Sequence, residues 1–220
     1  KPGNKEIKTL RILLYGPQGA GKSSFFNSVN NTLQGRITTR ALAQSTETGG
    51  SFTLKTDDIN RLLNGHIIDG YTFNPLSSIT EEDQKYKRNP ILKDRIHCLV
   101  AVLPANTVSV MLEEVFGKMG AVREKARDLR IPQAIIMTKV DEVCPLVKDN
   151  LEKIYKSKII KQKMEECSSR LGVPMTCIYP VKNYHEERVT NDTMDVLILD
   201  ALQNIVNFAN DFVEEQIDNE

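Results

Sequence analysis

The eight residues Gly16–Ser23 constrain the fold of this chain more than any other feature. They read Gly-Pro-Gln-Gly-Ala-Gly-Lys-Ser and match the pattern G-x-x-x-x-G-K-[ST] at every fixed position. Such a loop works between a strand and a helix, because its glycines turn the backbone tightly and its N–H groups then converge on phosphate oxygens. An apolar run at residues 9–15 precedes the loop, and helical periodicity follows from Lys22. The context that the motif requires is therefore present.

The loop predicts a site for the phosphates of a nucleotide. The helix that begins at Lys22 points its positive end at the phosphates. Lys22 is expected to reach the β- and γ-phosphates, and the Ser23 hydroxyl is expected to ligate Mg²⁺. We predict these two as the catalytic residues. The predicted phosphate-binding residues are Gly16, Pro17, Gln18, Gly19, Ala20, Gly21, Lys22, Ser23 and Ser24.

Strand-like and helix-like segments alternate along the rest of the chain. Residues 95–103 form a continuous apolar run, which is typical of a central parallel strand covered on both faces. Shorter strands are predicted at 133–137 and 175–179. Predicted helices cover 22–33, 108–129, 160–171 and 192–212. The fold class is α/β, a P-loop NTPase (G-domain-like) three-layer fold with a mostly parallel central sheet flanked by helices.

Composition argues against several classes of partner. The 220 residues include 29 basic and 29 acidic side chains, so no net charge attracts nucleic acid or an anionic membrane. No apolar run approaches the ~20 residues of a transmembrane segment. The four cysteines show neither C-x-x-C nor zinc spacing, and we expect reduced thiols and a cytoplasmic location. His97 lies in a predicted strand and is expected to be a hydrogen-bonded core residue.

A second motif follows the strand predicted at 133–137. Thr138-Lys139-Val140-Asp141 resembles the T/N-K-x-D element with which GTPases recognise guanine. The Asp141 carboxylate can accept from guanine N1–H and the exocyclic amino group, whereas adenine offers neither donor. The motif is weak by itself, but it stands at the carboxyl end of a strand, where such sheets bind ligands. The predicted guanine-binding residues are Thr138, Lys139, Asp141, Lys182 and Asn183, the last two in a loop that a plain surface turn would also explain.

One expected GTPase element is missing from the sequence. None of the thirteen aspartates has a glycine three positions later, so no D-x-x-G segment supports Mg²⁺ and the γ-phosphate. Either the protein lacks the element or the chain omits it, and we favour an omission near residues 53–55. Residues 36–53 are predicted as a first switch region, in which Thr46 or Thr48 is a candidate Mg²⁺ ligand and a flexible loop the simpler interpretation. We predict a single G domain over 1–220 with a helical and loop insertion at 54–95.

Several stretches resemble the interferon-induced protein 44 family specifically rather than GTPases at large. These stretches are Gly16–Asn27, Asp58-Ile59 with Leu63-Asn64-Gly65, Phe73-Asn74-Pro75, Leu92–Cys98 and Asp195–Leu199. Members of that family resemble dynamin-superfamily-like or septin-like G domains. The resemblance implies an interferon-induced, cytoplasmic protein of the antiviral immune response. It also implies a further domain upstream of Lys1, in agreement with a chain that starts Lys-Pro-Gly without methionine.

Three functions remain open from the sequence. The first is binding of GTP or GDP with Mg²⁺ and slow hydrolysis of GTP. The second is a nucleotide-dependent interaction or self-assembly module that does not hydrolyse GTP and acts through its switch regions. The third is an ATP-dependent kinase, which would need a second substrate pocket with an Arg-rich lid that the sequence does not show.

Overall fold

The computed structural model describes residues 7–41, 55–74 and 76–218. Its strands form one parallel sheet in the order β1-β2-β3-β4. Their bounds are β1 (Ile12–Tyr15), β2 (Cys98–Pro104), β3 (Gln133–Thr138) and β4 (Ile178–Pro180). The prediction of a parallel central sheet is confirmed.

Six α-helices accompany the sheet in the described part of the chain. They are α1 (Lys22–Gln34), α2 (Thr56–Leu63), α3 (Glu113–Asp128), α4 (Pro145–Asp149), α5 (Lys158–Leu171) and α6 (Asp192–Asp218). Short 3₁₀ turns lie at Leu92–Asp94, Val108–Val110, Val140–Glu142, Leu151–Lys156 and Met175–Cys177. No helix within the described ranges is both long and apolar enough to cross a membrane.

Strand β2 explains why the molecule has three layers. All seven of its residues are buried, and alternate side chains point to opposite faces of the sheet. Leu99 and Leu103 join a core built with α3 and α5, whereas Val100 and Val102 join a second core built with α1 and α6. Helices therefore cover both faces, and the continuous apolar run is the consequence. The α/β three-layer prediction is confirmed.

Several predicted boundaries differ from the structure. The strand predicted at 95–103 is Cys98–Pro104, so His97 lies just before it, and the helix predicted to end at residue 212 continues to Asp218. The helix predicted from residue 108 begins at Glu113, because the Arg170 guanidinium donates to the carbonyls of Val108 and Met111 and holds that segment in a 3₁₀ turn and a bend. The strand predicted from residue 175 begins at Ile178. Cys177 donates its N–H to the carbonyl of Pro174 and closes a turn instead of joining the sheet.

Strand β1 lies at an edge of the sheet. Among the described strands it pairs only with β2, and three of its four residues are half-buried. A parallel sheet is normally covered on both faces and continued at its edges by further elements. Within residues 7–41, 55–74 and 76–218, no further strand continues the sheet beyond β1.

The region between α1 and β2 packs against the sheet through α2. Ile59 and Leu63 of that helix join the core formed with α3, and the Ile96 N–H donates to the Leu63 carbonyl. Asp58 is buried and accepts from the Ile79 N–H at 3.0 Å. An isolated antiparallel bridge joins Ile67 and Tyr86. This region is therefore anchored by apolar and polar contacts.

His97 is buried just before β2 and uses both ring nitrogens. Its Nδ1 accepts from the Arg11 N–H at 2.9 Å, and its Nε2 lies 2.9 Å from the Leu92 carbonyl. The ring must then be neutral with its proton on Nε2, as expected for a core histidine. Burial lowers the pKa of His97, with Arg11 adding to the effect and the bond to Leu92 opposing it.

Acidification is expected to destabilise the protein through His97. Since the folded pKa lies below the ordinary value of 6.5, the folded state binds fewer protons than the unfolded chain. The contribution of His97 to the free energy of unfolding is complete above pH 6.5. It is lost as the pH falls towards the folded pKa, by at most about 1.4 kcal/mol per pH unit. Urea unfolding at pH 7.5 and 5.5 measures this change in the free energy of unfolding. The pH dependence should shrink in His97→Gln and persist in His185→Gln, and equal pH dependence in both variants would contradict this assignment.

Candidate nucleotide site

The loop between β1 and α1 has the backbone geometry that its glycines permit. Gly16, Gly19 and Gly21 have φ of 148°, 75° and 93°, a range that side chains disfavour. Gly21 is the residue that precedes α1, and no side chain caps that helix end. The first N–H groups of α1 are therefore not bonded by a capping side chain, as an anion site requires.

The charge distribution at the start of α1 also suits an anion. Helices α2, α3 and α6 carry two acidic residues each in their first turns, which offset the positive helix end. Helices α1, α4 and α5 carry none, but the Ser157 side chain caps α5 and α4 has only 5 residues. The 13 residues of α1 thus present an uncompensated positive end next to the glycine loop.

Lys22 folds back over the loop that precedes it. Its Nζ donates to the carbonyls of Gly16 at 2.9 Å and Pro17 at 2.8 Å. Burial lowers the pKa of Lys22. A phosphate placed in the loop would give this ammonium a charged acceptor, and charge-assisted hydrogen bonds are roughly twice as strong as neutral ones.

Thr138 joins the second motif to the loop. Its side chain is fully buried, and Oγ1 donates to the Ala20 carbonyl at 2.7 Å, with the Leu103 carbonyl at 3.4 Å. The next residue, Lys139, has a positive φ of 57° and turns the chain out of β3. Asp141 follows in the 3₁₀ turn, half-exposed, at the carboxyl edge of the sheet.

Asn183 joins the third predicted segment to the same loop. Its Nδ2 donates to the Gly21 carbonyl at 3.3 Å, while its buried Oδ1 has no partner among the described residues. A Cβ on Gly21 would lie 3.0 Å from Asn183 Nδ2 and 3.4 Å from Thr138 Oγ1. Three segments far apart in sequence therefore meet at Gly21, and an acceptor remains unused beside them.

Lys182, predicted with Asn183, is held in an ion pair. Its Nζ lies 2.8 Å from Glu187 Oε1. Burial alone would raise the pKa of Glu187, but hydrogen bonds from the His185 N–H and from Lys182 outweigh it and lower the pKa to about 2. This pair gives the loop after β4 a fixed shape near the site.

The remaining predicted residues lie in or beside the loop. Pro17 and Ala20 are buried, Gln18 is exposed, and Ser23 and Ser24 are half-buried in the first turn of α1. Thr46 and Thr48 lie outside the described residues. No cluster of three or more His, Cys, Asp or Glu side chains in the described ranges could hold a metal ion. The Ser23 hydroxyl fits Mg²⁺ only if phosphate oxygens and water complete the shell, as is usual for this ion.

Sequence reasoning missed the polar side chains that α1 buries. Asn27 Oδ1 accepts from the N–H groups of Arg40 and Ala41, and Asn31 Oδ1 accepts from the Thr38 N–H. Ser28 Oγ accepts from the Tyr184 N–H at 2.9 Å. The sequence does contain an indication of this burial, because polar residues occupy most of the inward-facing positions of α1 and apolar residues occupy few of them.

Asn106 links the ends of β2 and β3 at the same edge of the sheet. Its Nδ2 contacts Glu142 Oε2, and its buried Oδ1 has no partner among the described residues. The Ala105 N–H donates to the Thr138 carbonyl at 2.9 Å. The turn that carries Asp141 is thus held from β2 as well as from the glycine loop.

Comparison with known proteins identifies relatives along nearly the whole chain. Interferon-induced protein 44 of Homo sapiens is 34% identical over 246 residues, which cover 98% of this chain and 55% of that protein. The Mus musculus protein of the same name is 32% identical over 98% of this chain and 58% of its own length. Interferon-induced protein 44-like of Homo sapiens is 30% identical over 95% and 53%. No model of a known protein family matches the chain.

The chain spans about half the length of these relatives. The alignments extend over 246 and 245 residues, although the chain has only 220. Each of these relatives therefore carries residues that have no counterpart in this chain.

Proposed function

This chain belongs to the interferon-induced protein 44 family, and from that premise we propose that it binds GTP or GDP through the site around Gly21. The observation that carries the proposal is the convergence of three segments on that glycine. The glycine loop, Thr138 and Asn183 contact one another across more than a hundred residues of sequence. A loop selected only for stability would not need the buried, unpartnered Asn183 Oδ1.

Each predicted residue has a distinct task in this proposal. The loop amides and the α1 end hold the phosphates, and Lys22 transfers its hydrogen bonds from loop carbonyls to phosphate oxygens. Asp141 accepts from the guanine edge, and Lys139 lies beside the base. Thr138 positions the loop through its bond to Ala20, and Asn183, whose amide group donates to Gly21, keeps its Oδ1 as an acceptor beside the base. Mg²⁺ would bind Ser23 Oγ together with the phosphates and supply positive charge to them.

Hydrolysis of GTP is the reaction class that we propose, at a slow rate. Charge stabilisation by Lys22, the loop amides and Mg²⁺ would account for such a rate. The absence of a D-x-x-G sequence removes the usual contact to the γ-phosphate. The extra residues of the relatives support the hypothesis that this segment is omitted here.

The absence of D-x-x-G favours a second candidate as well. In it the chain is a nucleotide-dependent interaction module that binds GTP without hydrolysing it. Segment 38–41 is held by Asn27 and Asn31 and precedes residues 42–54 of the predicted first switch region. In this candidate, nucleotide binding changes the conformation of that region and so promotes assembly. Light scattering with a GTP analogue, together with a phosphate-release assay with GTP, distinguishes the two candidate functions. Assembly without phosphate release favours the interaction module, and phosphate release favours the GTPase.

The relatives' names also suggest a biological setting. Because those relatives are called interferon-induced, we propose that this chain is part of an interferon-induced protein of the immune response. A cytoplasmic location and a role in antiviral defence stay predictions from the sequence resemblance.

Asp141→Ala is expected to remove the preference for guanine. Losing the acceptor leaves two guanine donors unpaired, which should weaken GTP binding about ten- to a hundredfold and leave ATP binding unchanged. Calorimetric titration with non-hydrolysable GTP and ATP analogues in the presence of Mg²⁺ measures both. Asp149→Ala, which removes an exposed carboxylate at the end of α4, is the matched control and should bind as the unaltered chain does. Equal affinities of the unaltered chain for both nucleotides would overturn the guanine assignment.

A further inference from the structure

An open cleft lies at the end of the sheet opposite the candidate nucleotide site. Its volume is about 260 Å³, and it is lined by Arg123, Arg127, Arg130, Ile131, Gln133, Val173 and Pro174. Gln133 is the first residue of β3, and Thr138, which contacts the glycine loop, is the last. At about 3.3 Å per residue, the strand separates the two ends by roughly 17 Å. The cleft is therefore not an Arg-rich lid over the nucleotide.

Three arginines converge on this cleft from the end of α3. Arg123 and Arg127 are four residues apart and so share a helix face, and Arg130 follows the helix with a positive φ of 58°. Within the described residues, Arg127 contacts only the exposed Asp128, and neither Arg123 nor Arg130 forms an ion pair. Like charges at this spacing destabilise a helix, and the helix end compensates them only partly. Stability alone does not account for the cluster.

The arginine nearest the sheet is held in place before any ligand arrives. Arg123 Nη2 donates to the Gly172 carbonyl at 2.6 Å, and a Cβ on Gly172 would lie 3.4 Å from Arg123 Cζ. The guanidinium thus packs on the loop that ends α5. Its Nε is buried and has no acceptor among the described residues.

Gln133 supplies an unused acceptor in the same wall. Its Nε2 donates to the Arg123 carbonyl at 3.2 Å, which fixes the orientation of the amide. Its Oε1 is buried without a partner in the described part of the chain. A buried polar atom left without a hydrogen bond costs about 1–3 kcal/mol, and both atoms belong to residues that line this cleft.

We propose that this cleft binds the phosphate group of a small phosphorylated ligand. Planar guanidinium groups match the oxygens of a phosphate two at a time, and three of them balance a dianion. The exposed guanidinium groups of Arg127 and Arg130 donate to the phosphate oxygens beside the Arg123 side chain. Gln133 holds the Arg123 carbonyl and shapes the wall of the cleft. The site is independent of the nucleotide site and does not rest on the function proposed above.

The test follows the Arg123 side chain itself by NMR. The Nε–H resonance of Arg123 is recorded during titration with inorganic phosphate and, separately, with glycerol 3-phosphate. A saturable shift is expected in the unaltered chain and also in Lys22→Ala, whose phosphate loop is disabled. Equal affinities identify the phosphate ion as the ligand, and tighter binding of glycerol 3-phosphate identifies a phosphate monoester.

Two variants decide whether the cluster is responsible. Arg127→Ala/Arg130→Ala removes two exposed side chains and should weaken binding at least about tenfold. Lys125→Ala removes a cation from the same helix outside the cleft and should change the affinity less than about twofold. The proposal is overturned if no saturable shift occurs or if the shift disappears in Lys22→Ala. Equal weakening by Lys125→Ala, or a response to poly-glutamate but to neither phosphate, overturns it too.

Discussion

Gly16→Ala is expected to lower the free energy of unfolding by about 3–5 kcal/mol. Gly16 has a φ of 148°, and a Cβ at this position would lie 2.3 Å from the Val102 carbonyl oxygen. That oxygen belongs to the buried backbone of β2, so no side-chain rotation can relieve the clash. Either β1 must separate from β2 or the loop must refold. Urea unfolding followed by circular dichroism measures the change.

Gly120→Ala is the matched control for this substitution. Gly120 lies within α3, its φ is not positive, and a Cβ there meets no heavy atom within 4 Å. Alanine should stabilise that helix by about 0.5–1 kcal/mol. If Gly16→Ala unfolded at the same urea concentration as the unaltered chain, the close approach of the glycine loop to β2 would be wrong.

Lys22→Ala is expected to weaken the binding of GTP and ATP analogues alike, by at least about a hundredfold. The ammonium would contribute two or more charge-assisted hydrogen bonds to phosphate oxygens, each worth about 1.5–3 kcal/mol. The effect should not depend on the base, in contrast to Asp141→Ala. Calorimetric titration of both analogues with Mg²⁺ measures it.

The folded state should tolerate this substitution. Among the described residues, Nζ donates to two carbonyls of its own loop, and burial already disfavours its charge. The thermal unfolding midpoint should therefore change little. Lys148→Ala, which removes an exposed cation from α4, is the control and should bind both analogues normally. If the affinity of Lys22→Ala for the analogues were within about threefold of that of the unaltered chain, the assignment of the phosphate site would be wrong.

The sequence predicts best those elements whose pattern is local. The continuous apolar run of β2 follows from burial on both faces, and the glycines of the phosphate loop follow from backbone positions that only glycine adopts readily. Both can be inferred from neighbouring residues alone. Where a distant side chain intervenes, prediction fails. Arg170 lies about sixty residues from Val108 and shortens the helix there by bonding its carbonyl.

The candidate site divides in the same way. The residues of its motifs are visible in the sequence, but the contacts that make them one site are not. Thr138 meets Ala20 across 118 positions, and Asn183 meets Gly21 across 162. Such partners depend on strand order and register. The same limit applies to Asn27 and Asn31 of α1. Their inward positions on the helix can be inferred from the sequence, but the backbone segment that their buried amides bind cannot.

The edge position of β1 gives the phosphate loop an unusual mechanical setting. The strand that delivers the loop is held by hydrogen bonds from one described neighbour only, whereas β2 and β3 are each held from two sides. Departure of β1 from β2 would carry the glycine loop away from Thr138 and Asn183. A ligand on that loop would have to be released in the same event. Occupancy of the site and integrity of the sheet edge are therefore expected to be linked, because a ligand that binds only the closed arrangement of the loop stabilises that arrangement.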